Sequence, residues 1–287
     1  MTRGKFIVGS NYKASCHQKE MQSAPELLNG KLTNVNMNGS WSSLQVLVQH
    51  LNNAELDSNI EIFISPPSIY IDRIRQTLRK DVAVGAQNCY LKTHGAYTGE
   101  IAPEMLKDIG ADYVILGHTE RRVLFLESDD TIGLKVSHAI QAGLKVIACI
   151  GESLEEREQD LTRAVLHRQL AAIAHHVQAL AQAQHETATE AQDPWSNVVI
   201  AYEPVWAIGT GKVATPAQAQ IVHRDIIRSW LREHIGEHVA ERMRIIYGGS
   251  VNLGNAALLA EEDDVDGLFV GGASLKPEFI EICNIKG

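Results

Sequence analysis

Asn11 and Lys13 follow the first short apolar run of this 287-residue chain, His118 follows the fourth and Glu203 the sixth. Gly248-Gly249-Ser250 and Gly271-Gly272 follow the seventh and eighth. A carboxylate and an imidazole are side chains of proton transfer, and an ammonium beside an amide suits developing negative charge. Glycine lets the backbone approach an anion closely, and a helix N-terminus favours one. Gln87 and Asn88, after the third run, add two more polar positions. Each residue alone has a plainer reading: a solvated lysine, a hydrogen-bonded core histidine, a loop acid before Pro204, tight-turn glycines, a helix-capping serine. Polar residues at five strand ends gain force from being together, since the active site of a parallel barrel lies at the carboxyl ends of its strands.

The elements that must position them are legible as apolar, β-rich runs with helical stretches between. They are Phe6 to Val8, Ile60 to Ile64, Val82 to Ala86, Tyr113 to Leu116, Lys145 to Ile150, Val198 to Tyr202, Met243 to Tyr247 and Gly267 to Val270. Continuous apolar runs separated by helices are what a parallel sheet buried on both faces requires. Eight of them predict a closed (β/α)8 barrel occupying residues 1–287 as one α/β domain. Thr215-Pro216-Ala217-Gln218 has the Thr, Pro and Gln of a capping box opening a helix. Pro103 to Gly110 opens with proline and an acid and closes with glycine, the polarity of a short helix. Two stretches interrupt the rhythm and read as insertions: residues 16–43 between the first strand and its helix, rich in Asn, Ser and Gly, and residues 181–194, which prolong or follow the fifth helix before strand six.

With 45% apolar and 21% charged residues the chain can bury a sizeable core. A formal net charge of −9 argues against binding nucleic acid, which needs clustered Lys and Arg. Cys16, Cys89, Cys149 and Cys283 are widely spaced, with no Cys-x-x-Cys pair and no zinc-ligand spacing. Free thiols in a reducing compartment fit them. No apolar run reaches the roughly 20 residues of a membrane span. The expectation is a cytoplasmic protein, or an organellar one, such as plastidic, had a transit peptide been trimmed.

The runs Val114 to Arg122 (VILGHTERR) and Ala201 to Lys212 (AYEPVWAIGTGK) resemble the signature segments of the triosephosphate isomerase family. Ala86 to Tyr90, Gly95 to Glu100, Tyr247 to Val251 and Val270 to Leu275 are similar to its remaining loops, in the same order. The resemblance implies the family's barrel and the cofactor-free, metal-free interconversion of dihydroxyacetone phosphate and glyceraldehyde 3-phosphate. It assigns Glu203 as the base, His118 as the electrophile, Lys13 as the cation facing the enediolate and Asn11 as a donor near the same oxygen. Phosphate would rest on backbone N–H groups of Gly209, Ser250, Gly271 and Gly272, under a lid from Pro204 to Lys212. Glu120 would belong to the polar network around Lys13, although a plain salt bridge is the simpler role.

A homodimer is also implied, with the first loop packed against the partner's Gly95 to Glu100 loop and Thr98 at its tip. The chain departs from the family at Tyr12, where tryptophan is usual, and at Ala14, usually bulkier. It departs again at Leu268-Phe269, which reverses the usual aromatic-aliphatic order and puts Phe269 where a leucine presses on the catalytic acid. Two other readings compete. A barrel aldolase needs a Schiff-base lysine at a strand end, where strand six has Glu203; a catalytically inactive barrel would serve as a binding scaffold.

Overall fold

The computed structural model describes residues 4–11, 40–187, 193–208 and 213–285. Eight parallel strands close into a barrel in sequence order: β1 (Phe6–Asn11), β2 (Ile60–Ser65), β3 (Val82–Ala86), β4 (Tyr113–Leu116), β5 (Lys145–Ile150), β6 (Val198–Tyr202), β7 (Arg244–Tyr247) and β8 (Gly267–Val270). β1 pairs with β8 as well as β2, so the sheet has no free edge.

Alternate side chains of each strand face opposite ways. One set fills the barrel with Ile7, Phe63, Tyr113, Ile147, Ile246 and Phe269 among others, and the second packs against the helices. A Cβ on Gly9 would stand 1.9 Å from the Phe63 ring, so the glycine is what admits that ring to the interior. At roughly 1.5–3 kcal/mol for each large apolar side chain fully buried, these two layers dominate the stability. Below the interior aromatics, Glu61 accepts from Tyr113 Oη, from Lys145 Nζ at 2.7 Å and from Arg244 at 2.6 Å. Burial pushes the Glu61 carboxyl up, but these donors outweigh it and hold the group down at about 2.

The crossovers are α1 (Trp41–Asn53), α2 (Ile71–Thr77), α3 (Pro103–Asp108), α4 (Thr119–Leu124), α5 (Asp129–Gln141), α6 (Leu154–Glu158) and α7 (Thr162–Thr187). After β6 come α8 (Pro216–Ile221), a π-helical turn over Val222–Arg228, α9 (Ser229–His234) and α10 (Glu237–Arg242), then α11 (Leu253–Ala260) and α12 (Phe279–Cys283). Side-chain oxygens of Ser40, Ser128, Ser153, Thr215 and Asn252 accept from first-turn amides and set where five of these helices begin. The expected Thr215 box is present, with Gln218 Oε1 3.0 Å from the Thr215 N–H.

Several expected boundaries shift. β1 runs on through Asn11 because its polar end keeps pairing with Ile64 and Ser65. β2 likewise gains Ser65, and β7 begins at Arg244 rather than Met243. Met243 is the C-cap of α10, its N–H donating to Val239 O and its carbonyl accepting from Arg228. Residues 41–43, placed in the first insertion, form the opening turn of α1 behind the Ser40 cap; residues 12–39 lie outside the described residues. Of 181–194, residues 181–187 prolong α7, the first of the two placements expected for them, since Ala and Gln sustain a helix, and Asp193 caps a short 3-10 turn over Pro194–Asn197. Residues 188–192 are not among those described.

Candidate active site

The strand ends place Asn11, His118, Glu203, Ser250, Gly271 and Gly272 around one cavity of about 330 Å³, together with Phe269 and Lys276. That size suits a small ligand. Lys13 and Gly209 lie outside the described residues, as do residues 210–212 of the expected lid. Gln87, Asn88 and Gly249 do not line the cavity. Gln87 Nε2 donates to Ser65 O at 3.0 Å, and Asn88 Oδ1 accepts from the buried Lys135. Gly249 lies against Tyr247 Oη and Pro204.

His118 is the N-cap of α4, and its Nδ1 accepts from the Glu120 N–H at 3.3 Å. A backbone N–H can only donate, so Nδ1 is unprotonated and the hydrogen of the neutral ring sits on Nε2. Nε2 lies 3.2 Å from Glu203 Oε1. The other carboxylate oxygen, Oε2, accepts from the Thr119 N–H at 3.2 Å. That amide opens α4, so the carboxylate stands at a helix N-terminus where negative charge is favoured. Thr119 Oγ1, at 3.5 Å, adds little. Glu120 Oε2 is 3.8 Å from His118 Nδ1.

Glu203 leaves β6 with its N–H on Ile150 O at 2.8 Å, and its Cγ lies 2.9 Å from where a Cβ on Gly248 would stand. The Phe269 ring stands edge-on to the His118 ring at 6.5 Å. Phe269 belongs to the barrel interior and Leu268 to the layer under the helices, so the reversed order brings the aromatic to the cavity beside His118. Asn11 is buried, and its Oδ1 has no hydrogen-bond partner among the described residues.

The cavity's far side consists of backbone. Among the described residues, the N–H groups of Ser250, Gly271 and Gly272 have no hydrogen-bond partner. A Cβ on Gly271 or Gly272 would meet nothing within 4 Å among the described residues, so packing against these does not demand glycine there. Ser250 is held at φ +47°, uncommon for a non-glycine residue, with its Oγ donating to Ala207 O.

Behind Glu203 lies a group with no expected role. Glu152 is fully buried after β5, and its Oε1 accepts from Tyr202 Oη at 3.1 Å, Trp206 Nε1 at 3.0 Å and Arg157 at 3.0 Å. Burial, then the Glu152 charge, pushes the Tyr202 phenol well above its usual value, so it stays a donor. Burial likewise pushes Tyr247 up to about 12, and its Oη accepts from Ala214 N–H at 3.2 Å. Residues 204–208 and 213–214, flanking the undescribed stretch, are thus tied to the barrel at both ends. The acid after Gly151 was the signal for Glu152, and a hydroxyl residue beside His118 was the signal for Thr119. Among the described residues, no group of three or more His, Cys, Asp or Glu is placed to hold a metal, and no helix is long and apolar enough to cross a membrane.

A closed parallel barrel with a carboxylate, an imidazole and backbone amides that have no partner among the described residues, all at the carboxyl ends of its strands, defines a (β/α)8-barrel enzyme. The family model described as triosephosphate isomerase matches residues 32–286, nearly the whole chain. The chain belongs to the triosephosphate isomerase family: it is an isomerase, and the family implies a phosphorylated triose as its substrate.

Proposed function

We propose that the chain interconverts dihydroxyacetone phosphate and D-glyceraldehyde 3-phosphate through an enediolate. The observation that carries this reading is the buried contact of His118 Nε2 with Glu203 Oε1 at 3.2 Å, beside a cavity whose opposite wall presents free amides. Glu203 takes the proton from the carbon next to the carbonyl and returns it to the neighbouring carbon. The Nε2–H of His118 supports the oxygen on which charge develops, with Asn11 and Lys13 as further donors. Bound substrate replaces the direct contact of base and imidazole. The phosphate takes up the N–H groups of Ser250, Gly271 and Gly272, with Gly209 as the fourth donor, which lets an acidic protein hold a dianion. Closure of the Pro204–Lys212 segment would protect the enediolate from losing phosphate.

The protein acts as a cytoplasmic homodimer in this reading. Val123, Leu124, Phe125 and Leu126 are exposed in succession, an apolar patch suited to a second copy. A coupled assay on glyceraldehyde 3-phosphate, run over a range of protein concentrations, tests both claims. Rapid turnover with specific activity falling on dilution is expected. No turnover at any concentration would contradict the enzymatic reading and favour a scaffold, and activity independent of dilution in a sedimenting monomer would contradict the assembly.

A further inference from the structure

His223 is fully buried between the barrel wall and the helix layer, outside the catalytic cavity. Its Nδ1 lies 3.0 Å from the Asp264 carbonyl, which can only accept, so Nδ1 carries the hydrogen. Nε2 is then a bare acceptor, buried without a hydrogen-bond partner among the described residues. The ring is delivered there by the π-turn Val222–Arg228, whose wider turn brings residues five apart onto one face. His223 and Arg228 accordingly both reach Asp264, the guanidinium Nε at 2.6 Å from Oδ1, while Gln220 holds Oδ2 at 2.8 Å. Burial holds the imidazole neutral. An unpartnered buried nitrogen is costly, and a phenylalanine would fill the same space without it. Space-filling alone therefore does not account for a histidine.

Its neighbours do. The imidazole stands 5.8 Å from the Tyr202 ring at 82° and 6.4 Å from the Tyr247 ring at 39°. These tyrosines end β6 and β7, are paired in register, and immediately precede Glu203 and Gly248. The Gly248 N–H donates to Tyr202 O at 2.8 Å, and Glu203 Cγ rests over Gly248. Displacement of either tyrosine thus passes through one peptide unit to the carboxylate or to the surface it lies on.

We propose that His223 is a positioning residue for the proton transfer: its imidazole, tethered to the Asp264 carbonyl, fixes Tyr202 and Tyr247 and through them the Glu203 carboxylate. The proposal rests on the reading of Glu203 as the base. His223→Phe keeps a ring without the tether, and His223→Asn keeps an N–H donor without the full ring. Both are made in the whole chain and assayed with substrate carrying protium or deuterium at the carbon that loses its proton. In each variant kcat is expected to fall roughly tenfold to a hundredfold, with KM within about twofold, since the phosphate-binding amides are untouched. The primary isotope effect on kcat is expected to rise as proton transfer slows relative to the other steps. A merely structural role would lower the amount of folded enzyme, seen by circular dichroism, and leave KM and the isotope effect unchanged.

Wild-type kcat and isotope effect in either folded variant would overturn the proposal, so one variant suffices if the second does not fold. An inactive wild type, or a Glu203 variant with full activity, would instead defeat the reading beneath it.

Discussion

Nε2 of His118 and Oε1 of Glu203 stand 3.2 Å apart, each side chain almost sealed from solvent. The first two amides of α4 fix both partners, one on His118 Nδ1 and one on Glu203 Oε2. The tautomer and the carboxylate placement therefore come from the same helix turn.

In the proposed mechanism, removing the His118 imidazole removes the electrophile but leaves the base. His118→Gln is expected to lower kcat by roughly 10²–10³ with a native circular dichroism spectrum. A loss below about threefold in steady-state assays would mean that the Nε2–H does not face the reacting oxygen.

Gly248 is a second, steric handle on the base. A Cβ there would meet Glu203 Cγ at 2.9 Å and Phe269 Cδ1 at 3.3 Å. Gly248→Ala should displace the carboxylate and cost about tenfold to a hundredfold in kcat, with KM little changed. An unaltered kcat would show that the side chain has room to yield.

At Gly272 the opposite holds, because an added Cβ meets no protein atom. Gly272→Ala should leave unfolding free energy within about 0.5 kcal/mol of wild type, yet raise KM by roughly tenfold by crowding the phosphate. An unchanged KM, with inorganic phosphate still inhibiting competitively, would place the phosphate elsewhere.

Acid sensitivity has several sources with the same sign, and His223 and Glu61 are the most displaced of them. Burial holds His223 down at about 4 against 6.5 in the unfolded chain, so between these values the unfolded state binds more protons. Stability should fall as pH drops from about 6.5 to about 4 and then level off for this group. At about 1.4 kcal/mol per pH unit over this window, that is about 3 to 4 kcal/mol. Glu61, held at about 2 against 4.5, adds a further loss as pH falls from 4.5 to 2. Urea unfolding across pH should show both windows, and His223→Phe should remove most of the upper one and leave the lower, the remainder belonging to His167, which burial and then Arg163 also hold below the usual imidazole value. An upper window that persists in the variant would assign the linkage to another group.

How far the sequence reveals this molecule depends on whether a feature is local. Val82–Ala86, Tyr113–Leu116, Lys145–Ile150, Val198–Tyr202 and Gly267–Val270 are readable to the residue because each is a continuous apolar run buried on both faces. Gly9, Ser10 and Asn11 lack that signature, and only their pairing with β2 and β8 makes them strand. Asn11, His118, Glu203, Ser250, Gly271 and Gly272 are legible because strand ends share one rim. Gln87 and Asn88 occupy an equivalent position yet turn to Ser65 and Lys135, partners distant in sequence. The π-turn under His223 is likewise set by Asp264, 41 residues away, and has no local mark in the residues that form it.

The central claim is that the Glu203 carboxylate moves the proton, and Glu203→Ala in the coupled isomerisation assay tests it most directly. The account predicts a fall in kcat of at least about 10³ in a protein with native circular dichroism. Turnover within tenfold of wild type in the folded variant would contradict it.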